Sequence, residues 1–188
     1  MSDSQPFYTV AEFSPENFEG IANYFSSKND GYWLGMGIDP QKLMPKTAWI
    51  SFLTEEYEKP LDKKLFFYYL WLRNGEPIGH SNINKLIIGE EAEMHLHLWN
   101  PSIVKQGIGV ELLKKTIPLY FEKFKLQRLF CQPFAANPAP NAILPKMGFE
   151  FLKTHQAEPI GWINIKGEQS QYILTREKFD LYTALYGV

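Results

Sequence analysis

Residues 93–113 read EMHLHLWNPSIVKQGIGVELL, and this stretch decides the fold. It begins with apolar and polar residues in alternation from Glu93 to Trp99, a period of two that predicts a β-strand. After a turn with two glycines, the apolar residues recur at the spacing of one helical face as far as Phe124. The central unit of the predicted fold is therefore a strand, a glycine-containing turn and a long amphipathic helix.

The flanking sequence predicts a mixed sheet covered by helices. Asn74-Gly75 is a hairpin dipeptide between two β-rich runs at 65–72 and 78–88. The remaining predicted elements are strands at 7–13, 126–132, 149–154 and 171–175, and helices at 15–27, 40–57 and 137–147. Their order predicts one α/β (α+β) domain over residues 1–188, with a mixed, mostly antiparallel seven-stranded sheet flanked by helices.

Composition excludes several classes of protein. The chain has 188 residues and a formal net charge of −2, without the basic excess typical of a nucleic-acid-binding protein. Its longest uncharged apolar run, Leu65 to Leu72, is shorter than the roughly 18 residues that span a bilayer. The N-terminus has no signal-like pattern, and Cys131 is the single cysteine. We therefore expect a cytoplasmic protein with no membrane or nucleic-acid partner, and a homodimer remains one alternative for its oligomeric state.

The turn at residues 104–110 has the chemistry of an anion site. Gly107 and Gly109 allow a ligand to approach the main chain, and the amides of the first helical turn favour an anion such as a diphosphate. The alternative is a glycine-containing turn that only begins a helix. A dinucleotide-binding fingerprint fits less well, because Leu112 occupies the position of its third glycine.

These segments resemble the GNAT superfamily of acetyl-CoA-dependent N-acetyltransferases over residues 7–175. The family motif Gln/Arg-x-x-Gly-x-Gly/Ala matches both glycines of 104–109, with Val104 in place of the polar residue. A second family motif, from an asparagine to a Gly-Phe pair, is similar to residues 137–149, with Pro140 and Pro145 as departures. The segments at 97–99 and 172–175 are most similar to the branch that includes acetyltransferases of ribosomal-protein N-terminal amines.

The resemblance implies transfer of an acetyl group from acetyl-CoA to a primary amine, by direct attack in a ternary complex. The amine would be a protein N-terminus or a small molecule, and no metal would take part. The residues expected to bind acetyl-CoA are Leu98, Trp99, Val104, Lys105, Gln106, Gly107, Ile108, Gly109, Val110 and Asn137. The Leu98 and Trp99 amides would hold the thioester carbonyl, while Asn137 would bind the pantetheine arm, cap its helix, or do both. The alternative function is a CoA-binding module without turnover, acting as a sensor or partner.

Three residues of the predicted fourth strand are candidates for the proton transfer. An alkylamine is almost wholly protonated at neutral pH and must lose a proton before or during its attack. Glu93 lies where related enzymes carry a catalytic glutamate, although an ordinary strand-end carboxylate is equally compatible with the sequence. His95 and His97 share its face and could act as base or water relay. Their spacing alone does not make a metal site, because no third and fourth ligand is evident.

The acceptor side is less well defined by the sequence. In the family, the region that here contains Tyr32, Trp33 and Met36 shapes the amine pocket, although hydrophobic packing would explain these residues equally well. Gln132 ends the fifth strand beside the expected cleft. Cys131 is expected to be a buried, inert thiol rather than a nucleophile. Many family members protonate the leaving thiolate with a tyrosine, but Leu144 occupies that position here.

Overall fold

A seven-stranded sheet with helices on both faces forms the core of the protein. The computed structural model describes residues 6–27, 29–100, 107–157 and 164–186. The strands are β1 (Tyr8–Glu12), β2 (Phe67–Arg73), β3 (Glu76–Ile87), β4 (Glu91–Leu98), β5 (Arg128–Cys131), β6 (Glu150–Ala157) and β7 (Gly167–Thr175). The helices are α1 (Pro15–Ser27), α2 (Asp30–Gly35), α3 (Lys46–Glu58), α4 (Ile108–Phe124), α5 (Pro138–Ile143) and α6 (Arg176–Tyr186). The predicted fold class is confirmed.

The strands lie in the order β1-β2-β3-β4-β5-β7-β6, and β4 with β5 is the parallel pair among them. This parallel ladder is short, because its last pair is Glu93 with Phe130. β4 nevertheless continues to Leu98, where it still pairs with β3. The second half of β4 therefore faces a gap on its β5 side.

Helix α4 covers one face of the sheet. Its apolar stripe includes Leu112, Phe121 and Phe124, all fully buried. Two polar contacts join the helix to the strands. The Trp71 indole N–H donates to Thr116 Oγ1 at 2.9 Å, and the Tyr120 hydroxyl donates to Ser81 Oγ at 3.2 Å. These contacts attach α4 to β2 and β3, next to β4 in the sheet.

Helices α1 and α3 cover the opposite face. Phe25 of α1 stacks on Trp49 of α3, with ring centroids 4.2 Å apart. The buried carboxylate of Glu56, near the end of α3, accepts hydrogen bonds from the Leu65 and Phe66 main-chain N–H groups at 3.0 and 3.1 Å. The chain entering β2 is thereby tied to α3.

Three helical segments differ from the sequence prediction. The helix expected at 40–57 is divided into a 3-10 turn, Pro40–Lys42, and α3, because Pro45 forms the N-cap of a new helix. The predicted loop after α1 contains α2, whose first turn is capped by the Asn29 side chain. The helix expected at 137–147 consists of α5 and a 3-10 turn that begins at Pro145. Helix α6 was not predicted.

Candidate active site

A cavity of about 410 Å³ lies at the gap between β4 and β5. Its walls include Met94 to His97 from β4, and Cys131 to Phe134 at the end of β5 and just beyond it. Asn137, at the start of α5, also lines it. The cavity is therefore placed where the parallel ladder has ended, with unpaired strand edge on its wall.

The amides along this strand edge alternate in direction. The Trp99 N–H donates to the Ile78 carbonyl at 2.9 Å, so it belongs to the ladder with β3. In an antiparallel pair, neighbouring residues of a strand direct their N–H groups to opposite sides. The N–H of Leu98, which precedes Trp99, therefore points to the side of the gap. The Trp99 amide is therefore engaged within the sheet, contrary to expectation, and the Leu98 amide is the remaining candidate for holding a carbonyl oxygen.

The first turn of α4 has the backbone geometry that its glycines suggested. Gly107 adopts φ +75°, a left-handed conformation, and open space surrounds the position of a Cβ there. At Gly109 a Cβ would lie 3.0 Å from Ile143 Cδ1, so this glycine lets α5 pack against α4. The Val110 N–H donates to the Gly107 carbonyl at 3.0 Å, which removes it from the amides that could meet an anion.

The amides of residues 107–109 therefore remain as the helix-terminal donors, since nothing within the helix precedes them to accept their hydrogen bonds. The side chain of Ile108 is buried in the core, so only its amide could serve a ligand. Val104, Lys105 and Gln106 lie outside the described residues.

Glu93 is the centre of a polar network on the cavity wall. Its side chain is buried, with 8% of the residue exposed, and its Oε2 accepts from Lys85 Nζ at 2.6 Å and from Gln132 Nε2 at 2.7 Å. Gln132 Oε1 in turn lies 3.0 Å from His155 Nε2, which must donate because an amide oxygen only accepts. The network thus extends from β3 through β4 and the end of β5 to β6.

Nearby charges and hydrogen bonds favour the ionised form of Glu93. Burial works against this charge, but the neighbours His95, Lys85 and Gln132 outweigh burial and hold the pKa of the carboxyl below its usual value. Glu93 is therefore a carboxylate throughout the neutral pH range.

The histidines of the site are neutral at pH 7. Burial lowers the pKa of His95, and it lowers the pKa of His97 to about 3. His97 Nδ1 lies 3.1 Å from the Tyr24 hydroxyl, while the neighbouring His80 accepts from the Trp99 indole N–H at 2.8 Å. In the described residues, no group of three or more His, Cys, Asp and Glu side chains could hold a metal ion.

Two residues of the cavity wall each carry a buried polar atom without a hydrogen bond. Asn84 Oδ1 and His95 Nε2 are both inaccessible to solvent, and neither has a hydrogen-bond partner within the described part of the chain. A buried polar atom without a partner costs free energy unless a bound molecule or water satisfies it. His95 Nε2 lies 3.7 Å from Glu93 Oε1, so this polar part of the wall is centred on Glu93.

The predicted acceptor residues lie in different environments. Met36 and Gln132 line the cavity. Trp33, only 1% exposed, stacks on Phe25 and belongs to the core, so its packing role is the one observed. The Tyr32 hydroxyl donates to the Leu98 carbonyl at 3.5 Å, which supports β4 at the gap.

Three other residues were singled out by the sequence. Cys131 is buried and burial raises the pKa of its thiol, as expected of an inert cysteine. Asn137 caps α5, since its Oδ1 accepts from the Ala139 N–H at 3.3 Å. Leu144 is fully buried.

Sequence reasoning missed two polar residues that shape the site. Lys85 forms the ion pair with Glu93 from a left-handed backbone position, φ +48°. Asn141 donates to the Phe134, Ala135 and Asn137 carbonyls and so fixes the chain between β5 and α5. The asparagine could have been found, because it lies within the motif of residues 137–149, but nothing in the sequence pairs Lys85 with Glu93.

A main-chain bridge forms part of the cavity wall. Ile38, just after α2, forms an antiparallel bridge with Asn164, and the Ile165 N–H donates to the Gly37 carbonyl at 3.0 Å. Phe134 packs against this region so closely that a Cβ on Gly167 would lie 2.5 Å from its ring. Two distant parts of the chain are thus joined at the cavity.

The family model for the acetyltransferase (GNAT) domain matches residues 9–150. The chain therefore belongs to the GNAT family and is an acyltransferase, for which acetyl-CoA is the co-substrate. The recognition made from the glycine and asparagine motifs is confirmed. No curated protein matches the sequence at a significant level.

Solved structures share the fold at low sequence identity. RimL, a ribosomal L7/L12 α-N-protein acetyltransferase solved with coenzyme A, is 17% identical, with 89% of this chain and 93% of that chain covered and a TM-score of 0.72. Aminoglycoside acetyltransferase AAC(6')-Ib with coenzyme A is 17% identical, with 93% and 98% covered and a TM-score of 0.69. Spermidine N-acetyltransferase from Vibrio cholerae, with coenzyme A and spermine, is 13% identical, with 92% and 97% covered and a TM-score of 0.74.

Proposed function

We propose that this protein transfers an acetyl group from acetyl-CoA to a primary amine by direct attack in a ternary complex. The observation that supports this most is the early end of the β4–β5 ladder, which leaves the unpaired edge of β4 at residues 94–97 on the wall of a cavity that also contains the Glu93 carboxylate. Proteins of this fold acetylate a protein N-terminus, an aminoglycoside and spermidine, all of which present amines.

The residues present fit the acyl donor. When bound, acetyl-CoA supplies an acetyl group activated as a thioester. The amides of 107–109 would hold its diphosphate at the positive end of α4. The Leu98 amide would stabilise the negative charge that develops on the carbonyl oxygen, and Asn137 on the cavity wall would bind the pantetheine arm.

Glu93 and the histidines would handle the acceptor's proton. An ionised carboxylate attracts an ammonium group and accepts its proton for transfer to water, although its lowered pKa makes it a weak base. Neutral His95, whose Nε2 lies 3.7 Å from Glu93 Oε1, provides a second basic group within the same wall. Neutral His97 lies 3.1 Å from the Tyr24 hydroxyl, which is 3.0 Å from the Tyr32 hydroxyl that donates to the Leu98 carbonyl of β4.

The test replaces Glu93 and compares binding with turnover. Glu93→Gln should keep the affinity for acetyl-CoA in calorimetry but lower the rate of thiol release with an amine panel by about ten- to ten-thousand-fold. Glu90→Gln, the same change on the exposed turn before β4, should alter neither. Equal turnover of the two variants would refute the role of Glu93. Binding of acetyl-CoA with no thiol release for any amine would instead identify a CoA-binding module.

A further inference from the structure

We propose that the acceptor is an amine with a single positive charge and an aromatic or bulky apolar body, rather than a polycation. This inference rests on the proposed function, because it names the substrate class of the same site. It is drawn from the composition of the cavity wall, which among the described residues combines five large aromatic side chains with a single carboxylate.

Much of the cavity wall is aromatic. Among its lining residues are Phe25, Trp49, Phe66, Tyr68 and Phe134. Such a wall gains free energy by removing apolar surface from water and by ring stacking, and it offers little to a hydrated polyamine or sugar. The body of a molecule that fills this space is therefore apolar.

The charge of the cavity is nearly balanced. Glu93 is the sole carboxylate among the described lining residues, and Lys85 already forms an ion pair with it at 2.6 Å. Each additional positive charge of a polyamine or aminoglycoside would have to leave water without a carboxylate to meet it. The neutral Asn82 and Asn84 side chains on the same wall cannot compensate such charges.

One amine nevertheless fits beside Glu93. Both hydrogen bonds to Glu93 end on Oε2, so among the described residues Oε1 accepts none and can meet an N–H group of the amine. The Asn84 and His95 side chains belong to the same part of the wall, and their buried Oδ1 and Nε2 can accept further N–H groups after a change of side-chain rotamer. The cavity volume of about 410 Å³ is in the range that encloses a small ligand.

The experiment measures kcat/KM by thiol release with four amines. Tryptamine and 2-phenylethylamine should exceed spermidine and kanamycin by about tenfold or more. A higher kcat/KM for spermidine or kanamycin would overturn the inference and leave the acetyltransferase intact. No thiol release with any amine would instead be a failure of the proposed function.

Peptide substrates test whether the apolar body belongs to a small amine or to the N-terminal residue of a polypeptide. A tetrapeptide that begins with phenylalanine should be acetylated faster than one that begins with serine. If it also exceeds tryptamine, the apolar body belongs to a polypeptide N-terminus and the proposed chemistry stands. Faster acetylation of the serine peptide would contradict the inference that the acceptor has an apolar body.

Two variants test the wall directly. Asn82→Asp adds a carboxylate and should raise the ratio of spermidine to tryptamine kcat/KM by about tenfold, whereas Asn74→Asp in the hairpin turn should leave this ratio unchanged. Phe66→Ala should lower kcat/KM for tryptamine by about tenfold and spare that for spermidine, with the exposed Phe7→Ala as its control. An unchanged ratio in both wall variants would refute the inference.

Discussion

His80 and His97 lie side by side beneath α1, with ring centroids 4.8 Å apart. The rings of Tyr24 and Phe25 pack over both of them. A charge on either imidazole would have to be buried in this aromatic layer, next to its neighbour. The two histidines therefore stay uncharged at neutral pH, and in acid their burial lowers the free energy of unfolding.

Acid should therefore destabilise the protein through its buried histidines. The pKa of His97 in the folded chain, about 3, is below the value of about 6.5 expected after unfolding, so the unfolded chain binds the extra proton between these limits. The free energy of unfolding then falls as the pH drops from 6.5 toward 3, by about 2 kcal/mol per such histidine between pH 7 and pH 5.

His97→Gln removes this linkage because glutamine cannot be charged. Urea unfolding at pH 7 and pH 5 should show a smaller loss of stability for this variant than for the wild type. His155→Asn, a change at a half-buried histidine on β6, should retain the full loss. An equal loss in wild type and His97→Gln would show that His97 does not carry the effect.

Single residues were predictable where local periodicity decides their position. The alternation along β4 was sufficient to place Glu93 and His97 on one face of the sheet. The network around Glu93 could not be inferred, because Lys85 of β3, Gln132 just after β5 and His155 of β6, which bonds to Gln132, meet only in the folded chain. The engagement of the Trp99 amide likewise depends on the register of β3, which the alternation does not specify.

At the scale of elements, the turn before α4 has two separable properties, backbone strain and ligand contact. Gly107→Ala forces an alanine into φ +75° and should cost about 1–2 kcal/mol of folding stability. If the amides of this turn hold the diphosphate, the affinity for acetyl-CoA should also fall by about tenfold.

Gly89→Ala is the matched control. Gly89 has φ +81° and equally open space around its Cβ position, but it lies in the turn between β3 and β4. Thermal unfolding should show the same loss for both variants, while calorimetry with acetyl-CoA should separate them. Equal affinities would place the diphosphate elsewhere.

Elements whose boundaries are set by local chemistry were predicted closely. The hairpin dipeptide fixed the connection between β2 and β3, and the serine-proline cap fixed the start of α1. The start of α3 was missed because two prolines compete for it, and Pro45 rather than Pro40 precedes the helix. The glycines between α1 and α3 hid α2, which is stabilised by the Asn29 cap.

At the scale of the whole molecule, one continuous sheet joins all seven strands, and α4 packs across its centre. We therefore expect residues 1–188 to unfold as a single domain, in one cooperative transition. Tryptophan fluorescence and far-UV circular dichroism should give coincident urea transitions. Acetyl-CoA at a hundred times its Kd should add about 2.7 kcal/mol to the free energy of unfolding. Two separated transitions would contradict the single domain.

The topology was accessible mainly through family resemblance. Spacing alone indicated seven strands, but it did not specify that β7 would insert between β5 and β6. The gap between β4 and β5 likewise could not be inferred from spacing, because the residues after Glu93 continue to read as an ordinary strand. In the described residues, no helix has the length and apolar character needed to cross a bilayer.

The bridge between Ile38 and Asn164 fixes the spacing of two main-chain segments in the cavity wall. Because main-chain atoms set this spacing, replacing side chains would reshape the cavity without moving the two segments apart. Admitting bulkier substrates would require lengthening one of the two joined segments. Relatives that accept larger molecules should accordingly differ in these two segments by insertions or deletions. Relatives that differ only in point substitutions should share the same upper limit on substrate width.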